Sequence, residues 1–158
     1  MYITEPLILS NCIFRDNVSL DASEPVTIVG SPLMVIEYSN IGSIPAMWLN
    51  GATMTANIDV DPLFADRGHW DPNGTPEDPN DDFFVEGDYH LKSQAGRWDP
   101  NSQDWVLDDV TSPCIDAGDP NDPVGDEPFP NGNRINMGAY GGTAEASKSY
   151  REGRQGGN

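Results

Sequence analysis

The sequence predicts an all-β fold in which one to two coils of short strands are followed by a loop-rich cap. Three short apolar segments near the N-terminus are rich in Ile, Val and Leu and are separated by polar turns. Nowhere in the first 56 residues do apolar residues recur every three to four positions, so helices are not expected there. Most of the 16 glycines and 14 prolines follow residue 56, which predicts a cap made of loops.

The expected strands occupy residues 7–14, 26–30 and 33–38, each bounded by turn residues. Their rhythm is typical of a coil that turns between short strands, and strands in successive coils pair in parallel. We expect the inward-facing side chains to include Ile13, Ile28 and Val35.

A recurring asparagine supports the coil. Asn11 and Asn40 each stand beside inward-facing aliphatic residues and are 29 positions apart, about one coil. Asn side chains at the corners of successive coils can stack and pair their amides. We therefore expect a short amide ladder at this corner.

The chain divides into a single end domain, residues 1–142, and a basic tail, residues 143–158. Within the domain, residues 1–56 carry the coils and residues 57–142 the cap. The tail is predicted to begin a short helix, because Thr143 suits an N-cap position and an acidic residue follows in the first turn.

Four segments of the second part follow one another in a recognisable order. They are NIDVDPLF (57–64), GDYHLKSQAG (87–96), SPCIDAGDP (112–120) and NRINMGAYGG (133–142). This series resembles the terminal coil and closing segment of secreted right-handed parallel β-helix proteins, the pectate-lyase-like group. The resemblance extends over residues 8–142 and implies a right-handed helix and an extracellular or cell-surface location.

The same resemblance leaves the activity open, because such endings occur on proteins of many functions. Where those proteins are enzymes, the catalytic groove crosses coils that lie upstream of the ending. Two function classes therefore stay open. The first is a non-catalytic structural or binding module, and the second is the terminal piece of a polysaccharide lyase or glycoside hydrolase. We expect no catalytic residues in this chain.

The net charge of the chain limits the classes of partner that it is expected to bind. The net charge is -18, and 19 of the 26 acidic residues lie between Asp59 and Glu127. Nucleic acids and anionic membrane surfaces both need basic residues to neutralise phosphate, so neither partner is expected. No apolar run approaches the ~20 residues needed to span a bilayer.

The segment DPNGTPEDPNDD, residues 71–82, has five carboxylates and no basic residue. Calcium takes six to eight oxygen ligands, which closely spaced Asp, Asn and carbonyl groups supply. The alternative is a solvated proline-rich turn. We expect calcium as a cofactor here, and the expected ligands are Asp71, Asn73, Thr75, Asp78 and Asp82.

A second acidic segment, residues 116–127, again alternates Asp with Gly and Pro. Asp116 and Asp119 are expected to accept backbone N–H bonds in a tight turn. Asp122 and Asp126 are the remaining candidates for a metal ion.

Three tryptophans lie in the cap, and two of them open the repeated unit WDPN. One interpretation is that they cover the core at the end of the coils, and the other is that they stack on sugar rings of a polysaccharide. The candidates for stacking are Trp70, Trp98 and Trp105. Two cysteines, Cys12 and Cys114, stand among apolar residues and are interpreted as free buried thiols.

The start of the coils suggests a further partner, another copy of the same chain. An apolar first coil presents an open strand edge, which a strand or cap from another copy could pair with. Contact between two different surfaces builds filaments unless the rotation closes a ring. The residues expected to take part are Tyr2, Ile3, Leu7 and Leu9 at one end and Lys148, Arg151 and Arg154 at the other.

Overall fold

A computed structural model describes residues 7–15, 34–42 and 52–150. These residues form short strands and turns, and no helix occurs among them. The strands are β1 (Leu7–Ser10), β2 (Ile13–Phe14), β3 (Met34–Glu37), β4 (Asn40–Ile41), β5 (Thr53–Thr55), β6 (His69–Asp71), β7 (Phe83–Val85), β8 (Arg97–Asp99) and β9 (Asp104–Val106). The all-β class is confirmed.

The first five strands pair in parallel, as expected. Strands β1, β3 and β5 form one sheet in that order, and β2 and β4 form a second. Leu7 pairs with Met34 and Val35 with Thr53, so the chain takes 27 residues for the first step and 18 for the second. Three levels of strand are therefore stacked, where one to two coils were expected. The expected strand at 26–30 lies outside the described residues.

The corner between the two sheets is built the same way at each level. Asn11, Tyr38 and Ala56 occupy equivalent positions in the register, and all three have positive φ, from 46° to 56°. One residue in this left-handed conformation turns the chain sharply from one sheet into the next. Asn tolerates it well, but Tyr and Ala accept it only because the paired strands on both sides fix the turn.

A ladder of hydrogen bonds links the levels just after this corner, at Cys12, Ser39 and Asn57 rather than at the expected Asn11. The Cys12 backbone N–H donates to Ser39 Oγ at 3.1 Å, and the Ser39 N–H donates to Asn57 Oδ1 at 2.9 Å. The predicted pairing of Asn11 with Asn40 is wrong, because the coil step is 27 residues rather than 29. Asn40 instead lies level with Ile13.

Two small apolar cores flank the second sheet. The first joins Met34, Ile36 and Ile41 inside the corner between the sheets. The expectation that Val35 faces inward is wrong: its neighbours on either side are buried, and Val35 itself is only partly buried. A strand with three apolar residues in a row, Met34 to Ile36, does not reveal its phase, since alternation is the only signal that would.

The second core joins the coils to the cap. It contains Leu91, Cys114, Ile115 and Met137, and Ile13 packs against it. The link is polar as well as apolar, because the buried Asn40 side chain donates to Cys114 Sγ at 3.0 Å and to the Val60 carbonyl at 2.9 Å. The cap is thus fastened to the outer face of the second sheet.

The cap carries two antiparallel hairpins built on the two WDPN units. Strands β6 and β7 pair Trp70 with Phe84, and strands β8 and β9 pair Trp98 with Trp105. In both hairpins the two rings meet edge to face, with centroids 5.6 Å apart and planes at 65°. The acidic segment is the tip of the first hairpin.

The predicted C-terminal helix does not form over residues 143–150, and residues 151–158 lie outside the described part. The chain makes one turn at Thr143 and then runs extended. Ser147 Oγ donates to the Leu91 carbonyl at 2.5 Å, and the Lys148 N–H donates to the Gly96 carbonyl at 2.8 Å. A helix this short is marginal in water, so bonds to the rest of the cap prevail. No described segment is a helix that could cross a membrane.

Candidate binding cleft

An open cleft of about 940 Å³ lies between the first coil and the β6–β7 hairpin. One wall is the strand segment 11–15, and the other is the segment 67–70 with Phe84. The remaining lining residues are Phe64, Tyr89, Gly138 and Ala139. Its volume lies at the upper end of the ~300–1,000 Å³ range of small-molecule sites.

Close backbone contacts fix the hairpin wall. A Cβ atom at Gly87 would lie 2.3 Å from the Gly68 backbone nitrogen, and one at Gly68 would lie 2.4 Å from the Val85 carbonyl oxygen. Gly68 also has a φ of 69°, which favours glycine. These two glycines let the base of the hairpin close, and the closure directs Trp70 and Phe84 toward the cleft.

Aromatic rings dominate the cleft. Trp70 is 47% exposed and is held by its edge-to-face contact with Phe84. Phe64 and Tyr89 form a second edge-to-face pair, with centroids 5.4 Å apart. A half-exposed indole braced by a neighbouring ring provides a rigid flat surface for a ligand.

Among the described residues, no carboxylate lines the cleft, although the chain has 26 acidic residues. Its charged lining residues are Arg15 and Arg67, and both are anchored from behind. Arg15 Nη1 lies 2.7 Å from Asp59 Oδ1, and Arg67 forms an ion pair with Asp61. The backbone N–H of Leu63, followed by Arg67, lowers the pKa of Asp61 below its usual range. Asp61 therefore stays ionised and holds the guanidinium in place.

The cleft can bind a ligand through stacking and hydrogen bonds, and its described lining residues include no pair of carboxyl groups. The polar side chains along the described walls are the two guanidinium groups, the Asn11 amide, the His69 ring, the Tyr89 hydroxyl and the Cys12 thiol. Arginine only donates hydrogen bonds and does not lose its proton in proteins. An oxygen-rich ligand with a flat apolar face fits this set.

Comparison with known protein families identifies the family of this chain. The pattern of the family described as "Disaggregatase related" matches residues 38–118. That segment begins at the corner of the second coil, includes both hairpins and ends at Gly118. It makes up half of the chain. The chain belongs to the disaggregatase-related family. No curated protein and no solved structure matches it.

The matched region of this disaggregatase-related chain contains the expected calcium loop. Asp71, Asn73, Thr75, Asp78 and Asp82 all lie at the hairpin tip, which is exposed along nearly its whole length. Within the described residues, no three His, Cys, Asp or Glu side chains come together as a metal site. Calcium in this loop stays a prediction.

Hydrogen bonds to Asp81, which is not among the predicted calcium ligands, join the two sides of the tip. Thr75 Oγ1 donates to the Asp81 carboxylate at 2.7–2.8 Å, and Asn73 Nδ2 donates to it at 3.3 Å. Asp78 accepts from both the backbone and the side chain of Asn80, which lowers the pKa of Asp78. Hydrogen bonds within the loop therefore satisfy these carboxylates.

The second acidic segment fastens the cap to the first coil. Asn11 Nδ2 donates to Asp122 Oδ2 at 2.6 Å, and Asn11 Oδ1 accepts the Asp119 N–H at 2.6 Å. Asp116 Oδ1 accepts the Gly132 N–H at 3.2 Å, a backbone bond that spans 16 residues rather than the tight turn expected for it. Asp126 is exposed. Asp122 thus has a structural partner, and its role as a metal ligand remains a prediction.

The other two candidate tryptophans lie away from the cleft. Trp98 and Trp105 pack against each other on the second hairpin, and Lys148 Nζ lies 3.7 Å from the Trp105 ring centroid. Both indoles are partly buried. Among the three predicted stacking residues, only Trp70 lines the cleft.

The assembly residues are only partly described, because Tyr2, Ile3, Arg151 and Arg154 lie outside the described part. Leu7 is exposed, and Leu9 packs against the first core. Both thiols are free, as expected, and burial raises the pKa of each.

Sequence reasoning missed most of the cleft. None of the lining residues Phe14, Arg15, Phe64, Phe84 and Tyr89 is predicted by the sequence analysis. The available signal was that arginine and aromatic residues flank the tryptophan in RGHW, residues 67–70.

Proposed function

We propose that this chain is a non-catalytic extracellular module that closes a parallel β-helix and binds a saccharide in the cleft. The observation that carries the proposal is the half-exposed face of Trp70 in a cleft whose described lining residues include no carboxylate. The stacked parallel strands and the attached cap support the helix-end role.

A saccharide matches the two kinds of group in the cleft. The C–H face of a sugar ring packs against a flat aromatic ring, and this contact removes apolar area from water. Sugar hydroxyl groups accept hydrogen bonds from guanidinium and amide N–H groups. Because their acidic partners hold Arg15 and Arg67, little side-chain freedom is lost on binding.

The lining of the cleft favours binding of a glycan over its hydrolysis. Glycoside hydrolysis uses two carboxyl groups on either side of the scissile bond, ~5–9.5 Å apart. The described wall residues present none, so we expect a bound glycan to be released uncleaved. The second candidate, the end of a carbohydrate-active enzyme, would use this cleft to hold substrate for coils upstream. The family description names disaggregatases, and a module that holds the material of an aggregate suits either role.

The proposal is tested by measuring glycan binding. A panel of oligosaccharides is screened by array, and hits are measured by titration calorimetry with Trp70→Ala beside the wild type. Loss of the ring should weaken binding tenfold or more, since truncating a central aromatic typically costs ~2 kcal/mol. Trp98→Ala is the matched control on the equivalent hairpin, and it should bind as the wild type does.

Two outcomes would contradict the proposal. One is that no glycan binds at millimolar concentration, or that Trp70→Ala binds as tightly as the wild type. The other is that wild-type chain releases new reducing ends or unsaturated products from a bound glycan, which would make it an enzyme.

A further inference from the structure

We infer that Asn73 is a modification site, which deamidates spontaneously to aspartate and isoaspartate when the tip of the first hairpin opens. The inference concerns the covalent chemistry of this tip, and it does not depend on saccharide binding in the cleft. Water is the co-reactant, and the products are ammonia and a new carboxylate.

The tripeptide Pro-Asn-Gly occurs twice in this chain, at residues 72–74 and 130–132. Glycine after asparagine favours deamidation, because no side chain hinders its backbone nitrogen from approaching the asparagine side chain. The two asparagines have identical neighbours on both sides, so their intrinsic reactivity is matched. A difference between them in the folded chain therefore arises from the structure. A further Asn-Gly step, at 50–51, lies outside the described residues.

The reaction balances without an oxidant or a reductant. The Gly74 backbone nitrogen attacks Cγ of Asn73 and forms a new C–N bond. The Cγ–Nδ2 bond breaks, and ammonia leaves with the proton that the Gly74 nitrogen gives up. Water then opens the resulting succinimide ring at either of its two carbonyl carbons. One opening gives aspartate, and the other gives isoaspartate, in which the main chain passes through Cγ.

The first copy of the tripeptide is accessible to this attack. Asn73 and Gly74 are exposed, and a Cβ atom at Gly74 would meet no other atom within 4 Å. Among the described residues, the Gly74 N–H has no hydrogen-bond acceptor, and the Asn73 side chain bonds only to Asp81, at 3.3 Å. The Thr75 N–H closes the turn on the Pro72 carbonyl at 2.8 Å. Such exposed bonds open locally at little cost, and opening lets the nitrogen reach Cγ.

The second copy is protected at both reacting groups. The Asn131 side chain donates to the Glu127 carbonyl at 3.1 Å and accepts the Asn133 N–H at 3.3 Å. The Gly132 N–H, which would be the attacking group, donates to Asp116 Oδ1 at 3.2 Å. A Cβ atom at Gly132 would overlap the Asp116 carboxylate, so the surroundings are also crowded. Reaction at Asn131 therefore requires several hydrogen bonds to break together.

Conversion of Asn73 changes the charge and the hydrogen bonds of the tip. Residues 71–82 carry five carboxylates and no basic residue, and the product adds a sixth carboxylate. The amide that donates to Asp81 is replaced by a group of like charge, so an attraction becomes a repulsion. The modified tip should open more readily than the original one.

The test incubates the folded full chain at mildly alkaline pH and follows each asparagine by peptide mass spectrometry. Asn73 should convert about tenfold faster than Asn131 or more, because the second site must break more hydrogen bonds before it reacts. Isoaspartate should be among the products, since direct hydrolysis of the amide gives aspartate alone. In urea the two asparagines should convert at similar rates, because the tripeptides are the same.

Two neighbouring variants separate opening of the tip from a change of charge. Asp81→Ala removes the acceptor that Asn73 and Thr75 share and should speed conversion at Asn73. Asp82→Ala is the matched control, since it removes the same charge next to that acceptor, and it should convert at the wild-type rate. The inference is overturned if the two asparagines convert equally fast in the folded chain or if isoaspartate is absent. It is also overturned if Asp81→Ala converts no faster than Asp82→Ala.

Discussion

At the scale of single residues, buried polar side chains hold the cap together. Glu127 Oε1 accepts the backbone N–H groups of Asn136 and Gly142, at 2.8 and 2.9 Å. Its other oxygen, Oε2, is buried without a hydrogen-bond partner among the described residues. Burial raises the pKa of Glu127, and the nearby Asp116 carboxylate adds to the shift. The charged form is therefore the costly one in the folded chain.

This predicts how stability depends on pH. With a pKa raised by folding, Glu127 contributes stability fully below its unfolded pKa and loses that contribution as the pH rises through the folded value. Glu127→Gln keeps the Oε1 acceptor and carries no charge. Its melting temperature should exceed that of the wild type near pH 7, and the difference should vanish near pH 4.

Glu127→Ala is the contrasting variant, because it leaves two backbone N–H groups without an acceptor. It should cost about 1–3 kcal/mol at every pH. The interpretation fails if Glu127→Gln loses the same stability at pH 4 and pH 7, since the carboxylate would then be needed in its charged form.

At the scale of elements, the two hairpins share the same strand pairing and differ in the length of their tips. The strands pair the same aromatic positions, but the tip spans residues 72–82 in the first hairpin and residues 100–103 in the second. Pro follows Asp at the start of both, where its fixed φ suits a turn. The longer tip carries the acidic cluster and has no core contact of its own.

Calcium binding is the prediction for this longer tip. We expect calcium to draw the oxygens of Asp71, Asp78 and Asp82 together at the folded tip, so bound calcium should raise the melting temperature by mass action. The measurement is a thermal melt in millimolar calcium against NaCl of equal ionic strength. Asp82→Asn should reduce the shift, and Asp109→Asn, an exposed acid elsewhere, should leave it unchanged. Equal melting temperatures in the two salts would exclude the site.

At the scale of the whole molecule, charge and connectivity act against each other. The few basic residues of the body are used as local counter-charges: Arg97, for example, lies 3.1 Å from both Asp88 and Asp108. Because the chain has 26 acidic and only 8 basic residues, most carboxylates have no basic partner of their own, and their mutual repulsion destabilises the compact state. Long-range ties such as Asn11 with Asp122, 111 residues apart, oppose that repulsion.

Salt should accordingly stabilise the fold. Raising NaCl from about 0.01 to 0.5 M shortens the Debye length from ~30 Å to a few ångströms and screens the repulsion. The melting temperature of dilute chain should rise, because the surplus of carboxylates outweighs the few ion pairs that salt weakens. A melting temperature that falls with NaCl would show that the ion pairs dominate.

The sequence by itself determined the features that depend on local chemistry. Short β-branched segments and frequent turn residues determined the all-β class, and the apolar surroundings of Cys12 and Cys114 indicated free thiols. Parallel pairing of the first and third segments followed from their spacing. The tertiary structure alone decided the phase of β3, the extended run after Thr143 and the composition of the cleft. Those features depend on contacts between distant residues, such as Phe14 with the wall at Trp70, and no local pattern encodes which distant surfaces meet.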